Sequence, residues 1–150
     1  MLAAGAVAAP LALAANALSG SAELAVVVRD EHGDEIVRAE LPESGAFALA
    51  YRHSHYDAPA RELFTAAAGE VRLQALASPS AAVLDYYALT GERRRRGGWL
   101  HLVPTERRRY ERLPLIATAI GRRTLLVKGE RIPLYAREAR HLTITAEGER

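Results

Sequence analysis

The residues best able to do chemistry form one short run, Tyr51-Arg52-His53-Ser54-His55-Tyr56, followed by Pro59 and then Glu62-Leu63-Phe64. A histidine, a hydroxyl and a carboxylate this close together admit three chemistries. The first is a Ser-His-acid nucleophile. Neighbouring residues of a strand point to opposite faces, which keeps Ser54 from the ring of His53, and no G-x-S-x-G elbow is present. The second is a metal site: His53 and His55, two apart, put both rings on one face of a continuing strand, and Glu62 adds an oxygen ligand. The third is a hydrogen-bonded pocket in which His53 pairs with Glu62 and Ser54 donates to a ligand. It makes Tyr51, His53, Ser54 and Glu62 the candidate ligand-binding residues, with no catalytic residue, resident metal or cofactor. Alternatively, the same side chains satisfy one another and the backbone at a strand end.

A hairpin has to position these residues. Ala46 to His53 shows period two, with Phe47, Leu49, Tyr51 and His53 on one face. Pro59 is expected in the connecting loop. A return strand over Ala60 to Ala67 then brings Glu62 back toward His53 or Ser54. Val71 to Leu76 follows across Gly69 as a further strand.

The surrounding pattern is similar. Strands fit Glu23 to Arg29, Glu35 to Leu41, Trp99 to Val103, Leu115 to Ile120, Thr124 to Val127, Ile132 to Tyr135 and His141 to Thr145, with turn residues between them. This density of turns predicts an all-β fold: an antiparallel β-sandwich or barrel-like single domain over residues 23–150. One short helix is expected near residues 78–89, with Pro79 near its first position. Gly91 to Gly98 and Thr105 to Arg112 read as arginine-rich loops.

Charge is distributed unevenly. Residues 1–91 hold five arginines against eleven acids, and residues 92–150 hold fifteen basic residues against seven acids. Arg93, Arg94, Arg95 and Arg96, with Arg107, Arg108 and Arg109, form two basic runs that face an acidic partner or an anionic membrane surface, or are simply solvated. Nucleic acid is not the expected partner, because the chain reads as exported. There is no cysteine, which excludes disulfides, thiolate metal sites and cysteine nucleophiles.

Export is read from residues 1–22. Residues 2–22 carry no charged side chain, and ten of the first twenty-two residues are alanine. Ala15-Asn16-Ala17 has the A-x-A form of a signal-peptidase site. The segment is expected to be a signal peptide or a membrane anchor, leaving the domain periplasmic or tethered on that side.

The run Phe47, Leu49, Tyr51, His53, Ser54, then Pro59, Glu62 and Phe64, resembles the F-x-L-x-Y-x-H-S … P … E-x-F pattern of a bacterial family of domains of unknown function. Lys128-Gly129-Glu130-Arg131-Ile132-Pro133-Leu134 is similar to that family's later glycine turn before an I-x-L strand. The likeness spans about residues 24–146. It departs at Pro79 to Val83, where the family is glycine-rich, and at His55, a position that is apolar there. Members are encoded beside, or fused to, TAXI-type components of tripartite ATP-independent periplasmic (TRAP) transporters. The resemblance therefore implies an exported, non-enzymatic accessory domain partnered by a transporter permease or solute-binding subunit. The alternative is a stand-alone periplasmic binding module holding a small ligand or metal at His53, Ser54 and Glu62. A hydrolase is the more distant reading.

Overall fold

The computed structural model describes residues 23–148. The segment expected to direct export, residues 1–22, lies outside the described residues. Among the described residues, no helix is long and apolar enough to cross a membrane.

The chain is mostly β, with antiparallel strands in two sheets arranged as a sandwich. The first sheet has the order β2 (Glu35–Glu40), β1 (Leu24–Arg29), β12 (Arg140–Gly148), β9 (Leu113–Ala117). The second runs β11 (Glu130–Pro133), β10 (Thr124–Val127), β3 (Ala46–His53), β4 (Ala58–Ala67), β5 (Glu70–Ser78), β7 (Trp99–Pro104), β6 (Gly91–Arg96), and the two-residue β8 (Arg109–Tyr110) adds to β5. The helix α1 (Ala81–Tyr86) is shorter than the sequence pattern predicts and packs beside β5. Ser80 occupies its N-cap position, which leaves Pro79 outside the helix.

The core follows from alternation on each strand. Val26 and Val28 of β1 face Ile144 and Ala146 of β12 across the strand pair. They pack with Phe47, Leu49, Phe64, Leu73, Leu76, Leu102 and Leu125 from the second sheet. Phe47 and Phe64 are direct cross-strand partners and stack, with centroids 5.1 Å apart. Gly45 closes the approach to β3 with φ +70, and a Cβ there would collide with the Ala66 carbonyl. This position therefore requires glycine.

Two expected loops are built differently. Gly91 to Arg96 is the edge strand β6, paired along its length with β7. Its arginines hide the strand from a hydropathy reading: this strand is exposed on both faces, and charged side chains suit a sheet edge. Pro59 lies inside β4, opposite Arg52, rather than in the loop. Its pair with Arg52 is not a hydrogen-bonded one, since the Arg52 N–H donates to the Gly121 carbonyl at 2.7 Å, so the missing N–H costs little, and its carbonyl accepts the Ser78 hydroxyl at 2.7 Å. Two strands are also offset from expectation: Leu113–Ala117 replaces Leu115 to Ile120, and Glu130–Pro133 replaces Ile132 to Tyr135.

Candidate functional site

Register decides which candidate residues meet. His53 is opposite Ala58, Tyr51 opposite Ala60, and Glu62 opposite Leu49. Glu62 thus shares a face with His53 but sits four positions away along β3, roughly 13 Å at the rise of a strand. The expected His53–Glu62 pair does not form. The cause is the tight turn over residues 54–57, held by Arg52, whose Nε donates to Asp57 Oδ1 at 2.5 Å and whose Nη2 donates to the Asp57 carbonyl at 2.9 Å. Ser54 lies in that turn, exposed and off the strand.

Glu62 has other partners. Tyr87, just past α1, donates its hydroxyl to Glu62 Oε1 at 3.0 Å. Arg123, in the turn before β10, approaches Oε2 with Nη1 at 3.5 Å. The Arg123 guanidinium also lies over the Tyr51 ring, 4.6 Å from its centroid. The Tyr51 hydroxyl is buried without a hydrogen-bond partner. Desolvation raises the Glu62 carboxyl above its ordinary range, outweighing the pull of Arg123. Burial also pushes the Tyr87 phenol up to about 12.

Glu62, Tyr87 and Arg123 stand at a cavity of about 310 Å³ between the sheets. Its walls are mainly aliphatic, including Leu49, Leu73, Leu76, Leu89, Leu113 and Leu115, with Phe64. Its polar lining is Glu62, Tyr87, Arg123, Arg108 and Tyr110. No serine, threonine or histidine lines it. Such a cavity has room for a small, largely apolar molecule, and its polar lining can hydrogen-bond one polar group.

His53 belongs to a different cluster. It is buried at the turn end of β3, with the Tyr86 ring 4.7 Å and the Tyr56 ring 5.3 Å from its centroid. The Tyr56 backbone N–H donates to His53 Nδ1 at 3.4 Å. Burial, followed by the nearby His55, lowers the His53 pKa. This is a histidine packed among aromatics. Among the described residues no three His, Asp or Glu side chains converge as a metal-binding group. The metal arrangement of His53, His55 and Glu62 is therefore not assembled.

The arginine runs divide by strand geometry. Arg94 and Arg96 point to the outer face of the second sheet, while Arg93 and Arg95 point to the opposite side. Arg93 pairs with Asp85 of α1 at 2.5 Å, and Arg94 with Glu92 at 2.9 Å. Arg107, Arg108 and Arg109 are exposed, and Arg108 also reaches the cavity.

Sequence reasoning missed Tyr87 and Arg123. One signal was available: Glu62 occupies an inward position between Ala60 and Phe64, and an inward acid calls for a buried cation or hydroxyl. Which of the many arginines answers is set by tertiary structure alone. Comparison with known proteins returns no matching family model, curated protein or solved structure.

Proposed function

We propose that this chain is an exported, non-enzymatic accessory domain of a TAXI-type TRAP transporter, and that it binds a small, mostly apolar solute in the inter-sheet cavity. The observation that carries the binding part is the Glu62–Tyr87–Arg123 group at the edge of an aliphatic cavity of about 310 Å³. That volume lies at the lower end of the usual ligand-pocket range. With no serine, threonine or histidine in the lining, the arrangement favours binding over turnover.

The transporter context comes from the resemblance. Its pattern residues Phe47, Leu49, Tyr51, Glu62 and Phe64 lie on one face of the β3–β4 hairpin. They either line the cavity or contact a residue that does. The partner on this reading is the permease or the solute-binding subunit, and residues 1–22 deliver the domain to, or hold it at, the periplasmic side.

The same cavity also suits a stand-alone periplasmic binding module. Affinity purification of the tagged full chain from its own membranes separates the two. Recovery of a TRAP permease or solute-binding subunit, with solute uptake lost when the gene is deleted, supports the accessory role. A chain that releases alone from the periplasm, with uptake intact after deletion, leaves the stand-alone module.

A further inference from the structure

The outer face of the second sheet carries a feature that is independent of the cavity. Cross-strand pairing places Arg61, Ala77, His101 and Arg94 in one row. Trp99, the single tryptophan of the chain, is the direct partner of Arg96. The Arg61 guanidinium lies over the Trp99 ring, 4.9 Å from its centroid. Ala77, between two long side chains, leaves the row dished, and a groove of about 400 Å³ results. Its floor is Leu63 and Ala77, and its walls are Trp99, Arg61, Arg96 and His101.

No carboxylate lines the groove. Among the described residues Arg61, Arg96 and His101 make no ion pair, whereas Arg93 and Arg94 are matched by Asp85 and Glu92. Positive charge is therefore left uncompensated around an indole and a small apolar floor. Tryptophan and arginine over apolar ground are the residue types that anchor protein interfaces. Arginine stacked on an aromatic keeps its outer N–H groups directed for paired contact with a carboxylate.

We propose that this groove docks an acidic, carboxylate-rich segment of a partner protein, with Trp99 as the apolar anchor and Arg61 and Arg96 as the carboxylate contacts. Charge complementarity selects the occupant: the floor accepts the aliphatic part of a glutamate side chain, and the walls accept its charge. Alternation along β6 makes the proposal specific, because Arg96 takes part and its neighbour Arg95 does not.

The test uses the full chain and Trp99 fluorescence as reporter. The probes are a hexaglutamate peptide, glutarate at matched carboxylate concentration, and vesicles containing phosphatidylglycerol. The peptide is expected to bind saturably and to weaken steeply with salt. Arg96→Ala or Arg61→Ala should lower its affinity about tenfold, the loss of one charge-assisted contact, while Arg95→Ala leaves it unchanged and circular dichroism shows all three folded. Several results would overturn the proposal. They are equal binding of glutarate, which marks a small-anion site; vesicle binding with the same arginine dependence, which marks a lipid surface; equal weakening by Arg95→Ala; and no saturable response to any probe.

Discussion

Glu62 and Glu147 both face arginine, yet their environments drive them in opposite directions. Glu147 lies on the outer face of the first sheet. It accepts from Arg29 Nη1 at 2.5 Å, from Thr145 Oγ1 at 3.0 Å and from Arg38 Nη2 at 3.3 Å. These bonds, that of Arg29 first, hold its carboxyl down to about 2. Glu62 has one arginine at 3.5 Å and one phenol, and burial raises it. A cation nearby does not fix the outcome. Desolvation and the number of hydrogen bonds decide it. The outer pair is a structural tie at the surface. The inner group keeps a carboxyl incompletely matched beside open space, which suits a ligand site better than a structural tie.

The largest expected effect comes from breaking the inner group. Arg123→Ala leaves the Glu62 carboxyl buried with only Tyr87, and should cost about 2–3 kcal/mol in urea unfolding. Adding Glu62→Gln to that variant should restore part of the loss, because the uncompensated charge is gone. Additive losses would mean the two side chains do not interact.

The pH dependence sharpens the same contrast. Glu62 is raised above its ordinary value of 4.5 in the folded state, so the native protein binds more protons than the unfolded chain in the window above that value. Its contribution to stability is present below pH 4.5 and is lost as pH rises through its folded pKa. Glu147 runs the other way. Its contribution is present above pH 4.5 and is lost as pH falls from there toward 2. Glu62→Gln should flatten the unfolding profile above pH 4.5 and Glu147→Gln below it. A profile in which either variant flattens the other's window would contradict the assignment.

How much of this was legible in the sequence depends on what each element needs. β3 and β10 were read to the residue, because period-two alternation is strong where one face is buried. β6 was not, since four consecutive arginines carry no hydropathy alternation. Placing Glu62 was harder. That it returns along β4 follows from the pattern, but whether it meets His53 or Leu49 depends on the turn over residues 54–57 and its Arg52–Asp57 clasp. A shift of register moves every pairing together. Tyr51 and Glu62 share a face of the hairpin, as the alternation predicts, and both meet Arg123. His53 and Ser54 fell to the turn end, and Arg123, sixty-one residues from Glu62, had no local signal.

Smaller effects complete the comparison. Tyr87→Phe removes one partly buried hydrogen bond to Glu62 and should cost about 1 kcal/mol. Arg93→Ala, which breaks the exposed pair with Asp85, should cost no more than about 0.5 kcal/mol. Denaturation midpoints of the two variants check the order, and a larger loss for the surface pair would reverse the distinction between interior and exterior charges.

The central claim, that the space beside Glu62 is a binding site and not a packing gap, is tested most directly by native mass spectrometry of the full chain purified from its host. Leu89 lines the cavity and is half-buried, so Leu89→Phe fills space at little cost to the core. Wild type should carry a small-molecule adduct that vanishes in Leu89→Phe and weakens in Glu62→Gln, with Leu89→Phe unfolding at or above the wild-type midpoint. A wild-type chain with no adduct, or an adduct retained in the filled variant, would contradict the account.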